Sequence, residues 1–236
     1  MKKNKSQISI IIPVLNEEKN IAKLLDFLRK NISKANLVKE IIIVDGGSAD
    51  QSVSIAKENG AIVVSSKKGR AVQMNSGAKI ATGDILYFLH VDTFPPKNFD
   101  FFIHKSISKN KESGCFRMAF DSSNLFLNFF AWFSKLNYQI CRGGDQSLFI
   151  TKNLFAKING FNEEYKIYED NEIIERVYEN TKFVVLPQKV KTSARRYEEI
   201  GIYRLQFYFG IIHFKKLFGA SPDKLYDFYR RKIAAS

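Results

Sequence analysis

Short apolar runs alternate with amphipathic segments through the first half of the chain. The runs are residues 8–14, 40–45, 61–65 and 85–92. They are rich in Ile and Val and too short for helices, so they predict buried strands. Between them, apolar residues recur at helical spacing, as at Ile21, Leu24 and Leu28. Strands separated by helices predict an α/β fold with a mostly parallel sheet and helices on both faces.

Polar residues before two of these helices have the character of N-caps. Asn16 precedes the first helical segment and Ser48 precedes the second. Asn and Ser side chains accept hydrogen bonds from the free N–H groups of a first helical turn. The sequence therefore predicts caps at both positions.

The second half has a different pattern, with more aromatic residues and less regular alternation. Predicted strands cover residues 114–120, 143–150, 182–187 and 189–197, and predicted helices cover 124–140, 151–161, 168–181 and 200–232. The last of these ranges, one or two helices, mixes aromatic residues with Lys and Arg.

Polar residues that could bind a ligand or take part in chemistry follow the strands of the first half. They are Asn16, Glu17, Asp45, the loop 67–70, His90 and Asp92. Ligands of open α/β sheets bind beyond the carboxyl ends of the strands. His90 and Asp92 are two positions apart, so on an extended strand both would face the same way. That placement suits two ligands of one Mg²⁺ or Mn²⁺ ion, or one ligand and a hydrogen-bond donor.

Each of these residues also has a purely structural interpretation. Asp92 could be a turn residue, and Asp45 could hold the glycine-rich turn that follows it. The acids at 169–172 suit the first turn of a helix through its dipole. His104 and His213 stand alone among aromatic residues, where packing is the better explanation.

The charge balance and the aromatic residues bear on partners and location. Lys and Arg number 37 against 24 Asp and Glu, a formal charge of +13, which favours nucleic acid, acidic lipid or phosphorylated small molecules. The two cysteines lack metal-site spacing and indicate a reduced, cytoplasmic protein. No run reaches the roughly 20 apolar residues that span a bilayer.

Aromatic residues concentrate at 124–138 and in the basic tail after residue 199. Such segments favour peripheral contact with a membrane surface, here the inner face of the plasma membrane. The alternative is a helix packed on the core with Lys and Arg outside. A further part of the positive charge lies in the N-terminal tail, residues 1–5, and in the loop 67–70, which also favours a phosphate site.

Several segments taken together resemble glycosyltransferase family 2, whose fold is named GT-A. They are "IIPVLNEEKNIAKLL", "IIIVDGGSADQS", "GRAVQMNSGAKIATGDILYFLHVDT" and "YEDNEIIERV". The resemblance covers residues 8–196. With "GGDQ" and "TSARRYE", the chain is most similar to the radical-SAM/selenodomain-associated transferase 2 branch, in which His-x-Asp replaces the commoner Asp-x-Asp.

The resemblance implies roles for individual residues. Asp170 matches the general base, with Glu169 beside it, and Asp92 matches the metal-coordinating aspartate for Mn²⁺ or Mg²⁺. His90 stands where the family pattern has an aspartate, and it is either a metal ligand or a contact to the nucleotide. The remaining residues implied to bind the nucleotide sugar are Pro13, Asn16, Glu17, Asp45, Arg70, Asp145, Gln146, Arg195 and Arg196.

The resemblance implies a single GT-A domain over residues 1–236. It divides into a nucleotide-binding half (8–94), an acceptor-side half (95–198) and a helical tail (199–236). The implied activity is inverting transfer from a UDP-, GDP- or dTDP-sugar to an acceptor hydroxyl on a lipid carrier, a small molecule or a polymer. Nucleic acid is not an expected partner. A sugar-phosphate nucleotidyltransferase, or a non-enzymatic basic module that binds membrane or nucleic acid, is the alternative.

Overall fold

A computed structural model describes residues 5–234, so the predicted N-terminal basic tail lies outside this range except for Lys5. Its centre is a sheet with the strand order β3-β2-β1-β4-β7-β6-β8-β5. The strands are β1 (Ile8–Val14), β2 (Val38–Asp45), β3 (Ile62–Ser65), β4 (Ile85–Phe88), β5 (Thr93–Phe94), β6 (Ser113–Phe120), β7 (Leu148–Thr151) and β8 (Val184–Thr192).

The sheet is mostly parallel, as predicted. Strands β1 to β4 run parallel, and β6 and β8 form a second parallel pair. Strand β7 runs antiparallel to both β4 and β6, and β5 runs antiparallel to β8. The carboxyl ends of β1, β2, β3 and β4 therefore meet at one edge of the sheet.

Helices cover both faces of the sheet. They are α1 (Glu18–Asn31), α2 (Ser52–Glu58), α3 (Arg70–Ile80), α4 (Phe99–Ile107), α5 (Leu125–Phe133), α6 (Lys152–Lys157), α7 (Glu169–Asn180), α8 (Arg195–Ile200), α9 (Ile202–Leu217) and α10 (Pro222–Tyr229). One apolar core joins α1, α2 and α4 to alternate strand residues, and the other joins α3, α6 and α7 to the residues between them. This division follows from the twofold periodicity of strands.

Both predicted caps are wrong. Helix α1 begins after Glu17 and α2 begins after Gln51, and neither capping side chain bonds to its helix. Asn16 instead adopts a left-handed conformation with φ of 55°. Polar side chains in these loops bond between loops, which local sequence cannot reveal.

The strand that leads to His90 is shorter than predicted. Strand β4 ends at Phe88, and the N–H of Thr93 donates to the carbonyl of His90 in a turn. His90 and Asp92 therefore do not lie on an extended strand, and the predicted strand that would point both side chains the same way is wrong at these positions.

The other departures lie in the second half. The two strands predicted at 182–197 are one strand, β8, whose register against β6 shifts between Leu186 and Lys189, where Pro187 and Gln188 are skipped in the pairing. Arg195 and Arg196 do not end a strand, since they open α8. Residues 144–146 form a 3-10 turn, and the helix predicted at 124–140 ends at Phe133.

The predicted C-terminal helices are present as α9 and α10. Buried Leu205, Ile212 and Leu225 pack with Tyr165 in an apolar cluster of their own. The cluster therefore fastens the C-terminal helices onto the segment that leads into α7. Within residues 5–234, no helix has the length and apolar character that crossing a membrane requires.

Candidate active site

The loops that follow β1 and β2 are joined by hydrogen bonds. The N–H of Asn16 donates to Ser48 Oγ at 2.9 Å, and Asn16 Oδ1 accepts from the N–H of Ala49 at 2.8 Å. The N–H of Glu17 donates to Ser52 Oγ at 2.7 Å. These bonds hold Asn16 and Glu17 against the loop that carries Asp45.

Asp45 shapes that loop. Its carboxylate accepts from the N–H of Gly47 at 3.0 Å and from the N–H of Ser48 at 3.1 Å. Pro13 lies one position before the residue of β1 that pairs with Asp45. The structure thus brings Pro13, Asn16, Glu17 and Asp45, all predicted to bind the nucleotide, to one place.

Gln73 is a structural residue that the sequence analysis missed. Its Nε2 donates to the carbonyls of Val14 and Val44 at 2.9 and 2.8 Å, so it clamps the ends of β1 and β2. The amide is buried in α3. The available signal was a polar residue on the apolar face of a helix, three positions after Arg70.

A second group of charged side chains comes from four separate segments. His90 Nε2 lies 3.5 Å from Asp170 Oδ2, and His90 Nδ1 lies 3.9 Å from Asp145 Oδ1. Arg70 Nη1 lies 3.6 Å from Glu169 Oε1. Because Arg70 and Gln73 share the first turn of α3, that turn links this acid–base cluster to the loops that follow β1 and β2.

Close packing at Gly144 makes the cluster possible. A Cβ atom at this position would lie 2.0 Å from Asp170 Oδ2 and 2.7 Å from His90 Cε1. Neighbouring Gly143 has nothing within 4 Å of the same hypothetical atom. The cluster therefore requires that the second glycine of "GGDQ", Gly144, carries no side chain.

The electrostatics divide the two acids of α7. Burial, with the negative charge of Asp170, raises the pKa of Glu169 to about 7. Burial also acts to raise the pKa of Asp170, but the hydrogen bond and charge of His90 outweigh it, so that pKa is lowered. Burial disfavours the His90 imidazolium, yet Asp170 raises the pKa of His90 overall. Asp170 is thus an ionised carboxylate in a largely enclosed site.

Asp92 borders this cluster and is half-buried. Burial raises the pKa of Asp145, and the Asp92 charge adds to this while His90 opposes it. Both ring nitrogens of His90 face carboxylates. Within residues 5–234 no group of three Asp, Glu, His or Cys side chains is arranged to hold a metal ion. Asp92 fits a hard cation only where a ligand such as a diphosphate completes the coordination.

Gln146 is turned into the protein. Its Oε1 accepts from Arg142 Nη1 at 2.6 Å, and its Nε2 donates to the carbonyl of Cys141 at 2.6 Å. Arg142, buried, also donates to the carbonyl of Ser134 at 2.8 Å. Gln146 therefore stiffens the loop that presents Asp145, and its side chain does not reach the cluster.

The two arginines of α8 differ. Arg195 pairs with Glu199 in its own helix at 3.9 Å. Arg196 donates to the hydroxyl of Tyr229, and its guanidinium lies 5.2 Å from the centre of that ring. Burial and the charge of Asp145 raise the pKa of neighbouring Tyr197, while the charge of Arg196 acts in the opposite direction. Arg196 and Asp145 thus both act on Tyr197. Arg196 therefore lies at the border of the cluster.

Comparisons with known proteins agree with this arrangement. The family model described as glycosyl transferase family 2 matches residues 9–142, more than half of the chain. A Methanococcus voltae relative is a dolichyl N-acetyl-alpha-D-glucosaminyl phosphate 3-beta-D-2,3-diacetamido-2,3-dideoxy-beta-D-glucuronosyltransferase. It is 35% identical over 101 residues, 39% of this chain and 31% of its own. The glucosyl-3-phosphoglycerate synthase of Petrotoga mobilis is 35% identical over 96 residues, 36% of this chain and 30% of its own. The matches thus span about a third of the length of these curated relatives.

Solved structures share the fold. S. aureus TarS 1-349 in complex with UDP-GlcNAc has a TM-score of 0.65 and 23% identity, over 79% of this chain and 58% of that one. The mannosyltransferase PcManGT from Pyrobaculum calidifontis, in complex with GDP-Man and Mn²⁺, has a TM-score of 0.70 and 16% identity, over 99% of this chain and 69% of that one. These likenesses confirm the predicted GT-A fold. With the family model matching residues 9–142, the protein belongs to glycosyltransferase family 2.

Proposed function

We propose that this protein transfers a sugar from a nucleoside diphosphate sugar to an acceptor hydroxyl, with inversion at the anomeric carbon. The observation that carries the proposal is the position of Asp170. Its Oδ2 is held by His90 Nε2 at 3.5 Å, next to the loops that would bind the nucleotide. Family membership favours sugar transfer over nucleotidyl transfer.

The donor would occupy the joined loops after β1 and β2. Asp45, Asn16 and Glu17 offer polar groups for the base and ribose, and Pro13 lines the floor. Structures of similar fold contain UDP-GlcNAc in one case and GDP-Man in another. This supports a UDP- or GDP-sugar as the donor class.

The leaving diphosphate needs positive charge as the glycosidic bond breaks. Arg70 and Arg196 would supply part of it from the two sides of the cluster. Asp92, together with the diphosphate, would hold Mn²⁺ or Mg²⁺, which supplies further charge neutralisation when bound. A neighbour of the same fold contains Mn²⁺. With both ring nitrogens facing carboxylates, His90 acts in this proposal on Asp170 and not as a metal ligand.

Asp170 would act as the general base. It accepts the proton of the acceptor hydroxyl while that oxygen attacks C1 from the face opposite the diphosphate, and a single displacement inverts the centre. The lowered pKa keeps the carboxylate ionised. His90 occupies Oδ2 and leaves the second oxygen for the proton.

Asp170→Asn separates binding from chemistry. Donor affinity, measured by calorimetry with UDP- and GDP-sugars in the presence of Mn²⁺, should stay close to the parent value. Release of the nucleoside diphosphate by transfer should fall about 100-fold or more, since positioned bases contribute on the order of 10² to 10⁴.

The matched control is Asp26→Asn, an exposed acid of α1 that pairs with Lys30, and it should behave as the parent. An Asp170→Asn protein that no longer binds donor would remove Asp170 from the base role. Absence of binding by the parent to every UDP-, GDP- and dTDP-sugar would contradict the proposed function itself.

A further inference from the structure

Helix α5 exposes an apolar stripe to solvent. Leu125, Phe129 and Trp132 follow one another at intervals of four and three residues, so they share one face of the helix. Their exposed fractions are 84%, 57% and 52%. Leu127 on the other side is fully buried. The helix is therefore packed on one side and presents large apolar side chains on the other.

Helix α9 has the same character. Tyr203, Phe207, Phe214 and Phe218 recur at intervals of four and seven residues along or just after it, and each is more than 60% exposed. The buried side of the helix carries Leu205 and Ile212. The helix is packed on the protein with Lys215 exposed, as the sequence-based alternative has it, but large aromatic side chains are exposed on it as well.

The two helices meet at an aromatic contact beside these stripes. Phe126 of α5 and Tyr203 of α9 have ring centres 4.6 Å apart. We call the combined surface the aromatic face, consisting of Leu125, Phe129, Trp132, Tyr203, Phe207 and Phe214. An exposed apolar surface of this kind marks an interaction site.

Basic residues border the aromatic face. Lys135 Nζ lies 3.4 Å from the ring centre of Trp132, and Lys215 is exposed in the last turn of α9. Exposed Arg230 and Arg231 follow α10, which packs against α9. The chain as a whole carries a formal charge of +13. Aromatic side chains with a basic border fit an anionic bilayer, where the rings enter the interface and the cations meet lipid phosphates.

Two chain segments connect the aromatic face to the acid–base cluster. Exposed Tyr138 and Ile140 continue from α5 towards Asp145, five residues later. On the other side, α9 carries His213, whose Nδ1 lies 2.9 Å from the hydroxyl of Tyr168. Tyr168 directly precedes Glu169. Docking through this face would therefore hold the cluster near the bilayer surface.

We propose that the aromatic face docks the protein on an anionic bilayer. From this we infer that the acceptor hydroxyl belongs to an amphiphile held in that bilayer, an inference that rests on the proposed sugar transfer. Docking itself does not depend on catalysis, so the two can be tested apart.

Trp132 provides the direct test, because it is the single tryptophan of the chain. Vesicles of phosphatidylglycerol and phosphatidylcholine should shift its emission to shorter wavelength, and dibrominated lipid should quench it. The double variant Phe129→Ser/Phe207→Ser should bind the vesicles about tenfold more weakly or worse, since apolar burial drives interfacial binding. Phe101→Ser, at a 44% exposed phenylalanine of α4, is the matched control and should bind as the parent. Circular dichroism confirms that each variant is folded.

Three results would overturn the docking proposal. One is unchanged Trp132 emission with vesicles, and another is equal binding by the double variant and the parent. The third is a concentration-dependent dimer, seen by sedimentation velocity and lost in the double variant, because a second copy would then cover the face.

The acceptor inference is tested with labelled UDP-GlcNAc or GDP-mannose and a membrane lipid extract. Label should pass into the organic phase with the parent and not with Asp170→Asn, which should still bind vesicles. Label that enters only water-soluble product would overturn the acceptor inference while leaving the proposed transfer intact. Vesicle binding without transfer of any kind would contradict the proposed function and not the docking.

Discussion

The carboxyl group of Glu169 destabilises the folded chain when it ionises. Its side chain is 2% exposed and its Oε1 has no hydrogen-bond partner in the described part of the chain. Burial, with the charge of Asp170, raises its pKa from 4.5 to about 7. Since a tenfold change in acidity is worth about 1.4 kcal/mol, ionisation costs the folded state about 3 kcal/mol.

The sign of the pH dependence follows from proton binding. Between the unfolded and folded pKa values, the folded chain retains a proton that the unfolded chain has lost. The free energy of unfolding therefore falls as pH rises from about 4.5 to about 7, and the loss persists above that. The side chain of Gln in Glu169→Gln cannot ionise, so the variant avoids this loss of stability.

Urea unfolding of the parent and Glu169→Gln across this range measures the effect. The two proteins should have similar stability near pH 4, and the variant should be more stable by about 3 kcal/mol near pH 8. Glu179→Gln, at an exposed acid late in the same helix, is the matched control, and its stability should run parallel to the parent. A stability difference between Glu169→Gln and the parent that stays constant with pH would refute the assignment of a raised pKa to Glu169.

Three further predictions concern the site. Gly144→Ala should lower kcat about 100-fold with the donor KM little changed, because displacement of a base by about 1 Å has that order of effect. Gly143→Ala should match the parent, and equal losses of kcat in both variants would contradict close packing at Gly144. Gln73→Leu removes the two hydrogen bonds to the buried carbonyls of Val14 and Val44, although the Val14 carbonyl keeps its bond from the N–H of Gly46. Urea unfolding should therefore show a loss of about 1–3 kcal/mol in the free energy of unfolding, and calorimetry should show weaker donor binding; a variant as stable as the parent would show that the clamp is dispensable. Asp92→Asn should abolish the Mn²⁺ dependence of donor binding and His90→Gln should not, whereas loss of that dependence in His90→Gln would return His90 to the metal site.

The sequence by itself determined the elements of residues 8–94. Runs such as residues 8–14 are apolar enough to be buried on both faces and too short for helices, so strands β1 to β4 follow from local pattern. The motifs that resemble glycosyltransferase family 2 occur along this chain in the same order as in that family, and this order predicted the GT-A fold. The branch within the family stays a prediction.

Tertiary structure alone decided how the side chains meet. His90 and Asp170 are eighty positions apart, and their contact depends on the register of β4 and β7 and on the absence of a side chain at Gly144. The same holds for Asn16, which bonds to the neighbouring loop and caps no helix, and for Gln146, which faces inward to Arg142. Periodicity reports which face of an element is buried, because burial repeats with each turn or residue pair. It carries no information about which loop a polar side chain will reach.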